Sequence, residues 1–294
     1  MSSIERMVEK LKLSTSNGGV QRKAVERKPV GKTPSSASPG RTAKQREAGF
    51  THIDMGKLEN FGFFAPPQDR AKLAEEYRRI KRPLLSNAFG KTADAVELGN
   101  VIMVASAMSG EGKTFNTINL ALSMANEMDI TVLVVDLDVL NPALTRLLEL
   151  DEKLGLTDVL SDPDVELADV ILSTNVPKLK ILPAGRRHTQ ANELLASDQM
   201  QRVTHELSTR YPDRIVIFDA PPLLLTSEAN VVAGLVGQVL LIVEAGETPQ
   251  NAVKEAVALL DERKVIGIVL NKYKGSGNGP QYGSYYAAYG EEQG

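Results

Sequence analysis

Residues 101–119 read VIMVASAMSGEGKTFNTIN, and their order decides the fold. Val101, Ile102, Met103 and Val104 form an apolar run that predicts a buried strand. A loop of small residues follows and ends Gly110-Glu111-Gly112-Lys113-Thr114. Ile118, Leu120, Ala121, Leu122 and Met124 then keep a helical spacing. Strand, glycine loop, Lys-Thr and helix is the order in which a chain builds a phosphate cradle. Glycines let successive backbone N–H groups turn toward one anion, and the helix aims its positive end at the same place. The nucleotide-binding candidates are therefore Ser109, Gly110, Glu111, Gly112, Lys113, Thr114 and Phe115. Lys113 is the charge for the β- and γ-phosphates of ATP, and Thr114 offers its hydroxyl to Mg²⁺. The motif G-x-x-x-x-G-K-[ST] begins here with Ala107 in place of glycine.

Two more apolar runs end in acids. Thr131 to Asp138, TVLVVDLD, predicts a strand covered on both faces that delivers Asp136 and Asp138 at its carboxyl end. Arg214 to Leu225, RIVIFDAPPLLL, predicts another strand, with Asp219 at its end and Pro221 and Pro222 stopping it. In an open parallel sheet, ligands bind at that edge. Asp136 and Asp219 are the expected magnesium ligands with Thr114, and Asp138 is the expected base, although the sequence alone does not separate Asp136 from Asp138 in these two roles. The catalytic set is Lys113, Asp136, Asp138 and Asp219. Strands are also expected over Leu179 to Gly185, Gln238 to Ala245 and Val265 to Leu270. The last runs into Asn271-Lys272, which is either placed at that edge to touch a nucleotide base, with Asn271 the candidate, or simply a polar strand end. Helices are expected over Asn192 to Tyr211 and Pro249 to Arg263, and helical turns over 144–175. The class is α/β, a P-loop NTPase with a doubly wound, mostly parallel sheet and helices on both faces, over residues 68–273.

The flanks differ from this core. Residues 1–67 read as an N-terminal extension, largely disordered. Ile4, Met7, Val8, Leu11 and Leu13 give it a short amphipathic start, and residues 14 to about 49 are rich in Ser, Gly, Pro, Lys and Arg. From Gln68 to Leu85 a helical pattern puts Glu76, Arg79 and Arg82 on one face, either as internal ion pairs or as an interface. Residues 274–294 are a flexible tail in which Tyr282, Tyr285, Tyr286 and Tyr289 lie among Gly and Ser. Clustered phenols beside an ATP site suggest phosphoacceptors.

Composition bounds the rest. The chain has 294 residues, a formal net charge of -3 and no cysteine. Disulfides and cysteine metal sites are excluded, and the charge gives no sign of a nucleic-acid partner. The most apolar stretch, Val231 to Val243, is too short to span a bilayer and is broken by Gly234, Gly237 and Gln238. A cytoplasmic protein is expected. His188 and His205 lack a second ligand at metal spacing, and Arg186 and Arg187 are expected to face solvent.

The succession ASAMSGEGKT, VLVVDLD, IVIFDAPP and a tyrosine cluster resembles the bacterial tyrosine kinases (BY-kinases) of exopolysaccharide synthesis. It looks most like their autokinase branch from exosortase (PEP-CTERM) loci. The spacing of Glu76, Arg79 and Arg82 is similar to that family's E-x2-R-x2-R oligomerisation motif. The resemblance implies ATP and Mg²⁺, a homo-oligomeric ring whose subunits phosphorylate a neighbour's tail in trans, and a membrane chain-length-determinant (co-polymerase) partner. The chain departs from the pattern where Leu140 replaces an arginine and Ala220 a Ser or Thr. Two other readings share the motifs: a partition or septum-site ATPase switch, and a nucleotide-binding regulatory subunit of a polysaccharide exporter. The switch proteins carry a signature lysine where Met108 stands here.

Overall fold

The computed structural model describes residues 49–90 and 96–273. All of them fall in a compact unit that begins at Arg46. Strand β1 (Phe50–Thr51) and helix α1 (Met55–Asn60) come first, then a 3₁₀ turn and the long helix α2 (Arg70–Phe89). Strand β2 (Val101–Ser106), helix α3 (Lys113–Ala125) and strand β3 (Thr131–Asp136) form the first crossover unit. Short helices α4 (Ala143–Leu147), α5 (Leu156–Ser161) and α6 (Leu167–Val170) lead to strands β4 (Leu172–Thr174) and β5 (Leu179–Leu182). Helices α7 (Ala191–Leu195) and α8 (Asp198–Thr209) precede β6 (Arg214–Asp219). Helix α9 (Ser227–Gly234), β7 (Gln238–Glu244), α10 (Gln250–Ala258) and β8 (Val265–Asn271) complete the fold.

The eight strands form one sheet in the order β1-β4-β5-β3-β6-β2-β7-β8. Every pair is parallel except β4 with β5. Period-two alternation sorts the central side chains between two cores. Met103, Leu133, Val135, Phe218 and Leu241 face the layer made by α5 to α10. Ile102, Val104, Val134, Ile217 and Ile242 face the layer made by α1, α2 and α3. That burial on both faces explains the uninterrupted Val/Ile/Leu runs. The expected doubly wound architecture is present, and β3, β6 and β2 align their carboxyl ends in register, with Asp136 beside Asp219.

Several boundaries differ from the expectation. Residues 49–67 belong to the folded body rather than to an extension. Phe50 and Thr51 pair with Ser173 and Thr174, and Ile53 and Leu58 are buried. The sheet supplies partners more than a hundred residues away, and local composition does not announce them. Strand β4 lies inside the stretch expected to be helical turns, because three residues are too few for a period to register. The helix expected over 192–211 breaks at Ser197, whose hydroxyl caps α8 by accepting from the Met200 N–H. The helix expected over 249–263 ends at Ala258. Helix α2 instead runs past its predicted end, with Pro83 inside it. Its last turns are fastened by Gln238, which donates to the Leu84 carbonyl at 2.9 Å and accepts from Asn87 at 2.8 Å. Among the described residues, no helix is long and apolar enough to cross a membrane. The N-terminal residues 1–48 and the tyrosine-rich segment 274–294 lie outside the described residues.

Leu58 is 1% exposed beneath the sheet. Leu58→Ala should therefore cost about 2–5 kcal/mol in chemical denaturation. A midpoint unchanged from the parent chain would return residues 49–67 to a loose extension.

Candidate active site

The loop between β2 and α3 turns on two glycines with left-handed backbone, Gly110 at φ 86° and Gly112 at φ 95°. Three consecutive carbonyls of this loop are each held from outside. Lys272 Nζ donates to the Gly110 carbonyl at 2.8 Å, Asn271 Nδ2 to that of Glu111 at 2.8 Å, and Asn116 Nδ2 to that of Gly112 at 2.9 Å. In a planar trans peptide the C=O and the following N–H point in opposite directions. The N–H groups of Glu111, Gly112 and Lys113 therefore face inward, which is what an anion requires. Lys113 opens α3, where the helix adds its own partial positive charge.

The acids meet this cradle at the carboxyl edge of the sheet. Thr114 donates its hydroxyl to Asp219 at 2.8 Å, and Thr117 donates to the other oxygen at 3.1 Å. Asp136 accepts the Thr145 N–H and hydroxyl, both at 2.8 Å, and the Asp138 N–H at 3.2 Å. Burial pushes the Asp136 and Asp219 carboxyls above the usual carboxylate range, and the charge of Asp219 pushes Asp136 further. Burial also lowers the Lys113 ammonium from its usual value, while Asp219, Asp138 and Glu111 oppose that shift. Asp138 is raised by burial too, against the Asn141 N–H, Lys113 and Arg146, and it is only half-buried. Thus the structure gathers Lys113, Thr114, Asp136, Asp138 and Asp219 around one point. Thr114, Asp219 and Asp136 offer hard oxygen donors of the kind Mg²⁺ takes. Among the described residues, no group of three or more His, Asp or Glu could hold a metal alone. Magnesium here would share its coordination with phosphate and water, its common habit in nucleotide sites.

Other expected residues take different duties. Glu111 turns its buried carboxylate away from solvent to accept the Met108 N–H at 2.6 Å and the Thr248 hydroxyl. It braces the loop and leaves only its backbone for phosphate. Phe115 packs its ring on Phe63, with centroids 5.9 Å apart. Asn271 lies under the loop, so near that a Cβ on Gly112 would sit 2.2 Å from its Nδ2. Its amide is engaged by the loop backbone rather than held out for a base. Ser109 is exposed at the loop's tip. Glu76, Arg79 and Arg82 are all exposed on the outer face of α2. Arg79 also lies 3.7 Å from Glu75 on the same helix. Arg186 is not simply solvated, because its Nε donates to Asp158 at 2.5 Å. Tyr282, Tyr285, Tyr286 and Tyr289 lie outside the described residues.

Sequence reading missed Asn116, Thr117, Thr145, Arg146 and Thr248. Of these, Asn116 and Thr117 sit one turn into a helix already assigned to phosphate binding, which was the available signal. Thr145 had none. It accepts the Ala184 N–H at 3.0 Å and donates to Asp136, a contact made only across the fold. Beside the acids runs a groove of about 190 Å³, lined by Ser109, Asp138, Leu140, Pro221, Pro222 and Leu225 among others. Leu140 and Leu225 are 57% and 66% exposed there.

The AAA domain family matches residues 99–258 of this chain. The chain is 28% identical over 226 residues to a putative tyrosine-protein kinase, CapB, of Staphylococcus aureus, which spans 76% of this chain and 92% of that protein. Among solved structures it is similar to the VpsO kinase domain, with 29% identity and a TM-score of 0.54 over 67% of this chain and 100% of that one. The septum site-determining protein MinD of Pyrococcus horikoshii OT3, solved with Mg-ADP, shares the fold at 27% identity and a TM-score of 0.50, over 60% of this chain and 72% of its own.

Gly112 combines a left-handed backbone with a neighbour that fills the space of a side chain. Gly112→Ala should weaken binding of ADP with Mg²⁺ at least tenfold in isothermal titration, because Asn271 is driven from the loop. Wild-type affinity in that variant would mean that the clamp does not shape the cradle.

Proposed function

The chain belongs to the AAA domain family and, within it, to the bacterial tyrosine kinases, and from that premise we propose that it transfers the γ-phosphoryl group of ATP to tyrosines of its own C-terminal segment. The observation that carries this reading is the convergence of Lys113 with Asp136, Asp138 and Asp219 beside the Thr114 hydroxyl. Lys113 and the inward N–H groups would hold the phosphates. Thr114 and Asp219, with Asp136, would hold Mg²⁺, which draws charge off the transferring group. A phenol has an ordinary pKa near 10, so attack at neutral pH benefits from a carboxylate that takes its proton. Asp138 suits that duty, because its carboxyl is raised and half-open to the groove. The tyrosine oxygen bonds to the γ-phosphorus, the bond to the β–γ bridging oxygen breaks, ADP leaves, and the phenolic proton passes to Asp138.

The groove supports the same acceptor. Its apolar walls, Leu140, Pro221, Pro222 and Leu225, suit the flat face of a ring, and Asp138 suits a hydroxyl at its tip. Relatives named as tyrosine kinases over nearly their whole length add weight. The proposal includes trans transfer within a homo-oligomer built on Glu76, Arg79 and Arg82. It also includes a cytoplasmic location, a membrane co-polymerase as activator, and control of exopolysaccharide export in an exosortase type of locus. A septum-site type of switch finds less support, because Met108 stands where those proteins place a dimer-crossing lysine.

Mass spectrometry after incubation with ATP and Mg²⁺ should find phosphate on Tyr282, Tyr285, Tyr286 or Tyr289, and none in Lys113→Met. ATP turnover with every tyrosine unmodified would overturn the kinase reading. Replacing Glu76, Arg79 and Arg82 together by Ala should reduce the particle to smaller species in sedimentation velocity. An unchanged sedimentation coefficient would remove the assembly through α2.

A further inference from the structure

Helix α2 has two faces. Glu76, Arg79 and Arg82 point outward, whereas Tyr77, Lys81 and Leu84 are buried toward α3 and the sheet. Lys81 seats the helix by donating to the Ser123 carbonyl at 2.6 Å and pairing with Glu127 at 2.6 Å, both near the end of α3. Four residues before Lys81, Tyr77 reaches the start of α3. Its hydroxyl donates to Asn116 Oδ1 at 3.0 Å, and Asn116 Nδ2 donates to the Gly112 carbonyl. The direction of these bonds is fixed by chemistry. A carbonyl only accepts, so Asn116 must present its NH₂ to Gly112 and its oxygen to Tyr77. Burial, with the Glu76 charge beside it, holds the phenol well above its ordinary range, so Tyr77 remains a donor at any physiological pH.

We propose that Tyr77 and Asn116 are positioning residues that set the phosphate loop, and that they carry the seating of α2 to nucleotide affinity. The second half rests on the assembly reading for the outer face of α2. The residue next to Tyr77 in sequence is Glu76, so a partner that pulls or settles the outer face moves both together. A 3.0 Å hydrogen bond weakens steeply with distance and angle. Its loss frees the Asn116 side chain to turn away from the Gly112 carbonyl, which then keeps only the Asn116 backbone N–H at 3.0 Å, and the peptide that carries the Lys113 N–H is held by one bond instead of two. Room for the second state exists. A cavity of about 440 Å³ lies against Tyr77, walled by Leu73 and Ala74 of α2, Asn119 of α3 and Met55 and Phe64 before them. Tyr77 thus has a bonded position and a neighbouring space, the requirement of a two-state element.

The test uses the full chain and a fluorescent ADP with Mg²⁺. Tyr77→Phe keeps the ring and removes only the hydroxyl. It should weaken ADP binding about fivefold to tenfold, with the melting temperature of the ligand-free protein near the parent's. Asn116→Ala should do the same, and the double variant should be no weaker than the worse single one. Unchanged affinity in Tyr77→Phe, or single losses that multiply in the double variant, would overturn the pair as loop support. A fall in melting temperature without a change in affinity would assign Tyr77 to packing alone. The parent should also bind ADP at least threefold tighter once its concentration passes the assembly transition seen by sedimentation. Tyr77→Phe should assemble without that gain. A parent that stays monomeric at every concentration refutes assembly through α2, while the double-mutant comparison still decides the pair.

Discussion

Everything at the nucleotide edge depends on three peptide carbonyls being turned outward. A phosphate cradle is built from N–H groups, and an N–H faces inward only if the carbonyl of the same peptide unit faces out. An outward carbonyl in a packed protein needs a donor. Here the donors for Gly110, Glu111 and Gly112 are Lys272, Asn271 and Asn116, from the end of β8 and the first turn of α3. Glu244 orients Lys272 by pairing with it at 2.9 Å, so β7 contributes as well. The loop is therefore shaped before any anion arrives. That is the economical arrangement for binding, because little order remains to be imposed.

The same edge solves a charge problem. Asp136 and Asp219 are neighbours on adjacent strands, and both are essentially inaccessible to water. Two carboxylates so placed repel each other and resist ionisation. Hydroxyls from Thr114, Thr117 and Thr145 and one ammonium, Lys113, compensate part of that cost. The remainder is an appetite for positive charge, which a divalent cation brought in with a nucleotide would meet. The three hydroxyls are thus as much a part of the site as the acids, because with the Asp138 N–H they engage all four carboxylate oxygens and so orient the lone pairs left over.

How much of this was legible follows from range in sequence. The strand–loop–helix at 101–119 carries its whole meaning locally, and the cradle, Lys113 and Thr114 stand where the sequence put them. Asp136 and Asp219 were readable because a β-branched run ending in an acid needs no knowledge of its neighbours. By contrast, Asn271 read equally as a base contact or a polar strand end, since its place under the loop depends on a glycine far back in the sequence, Gly112. The bracing role of the Glu111 side chain was hidden for the same reason, as its partner Thr248 lies across the fold. Strand β1 and helix α1 were hidden by the polar composition around them, and only pairing with β4 reveals them. Helix α2 overran its expected end because Gln238 holds its last turns against the disadvantage of Pro83.

The departures from motif become intelligible on the same terms. Ala107 stands where the phosphate-loop pattern has its first glycine, yet Ala107 is buried and does not need a left-handed backbone; that conformation is adopted at Gly110 and Gly112. Its carbonyl accepts the Leu224 N–H at 3.3 Å, and that of Ser106 accepts the Leu223 N–H at 2.8 Å, so the loop after Asp219 is stitched to the root of the cradle. Ala220 sits inside this seam, 1% exposed, with its N–H given to Val104 at 3.1 Å. A hydroxyl there would need a buried partner of its own, and alanine avoids that demand. Leu140 differs in kind, because it faces the groove and trades a cation for an apolar wall. Of the two departures from the kinase pattern, Ala220 preserves the geometry of the acids, and Leu140 changes only what the groove can grip. If the proposed transfer takes place here, the chemistry at Lys113 follows the family's pattern, and the grip of the groove on an acceptor ring is where this chain has room to differ.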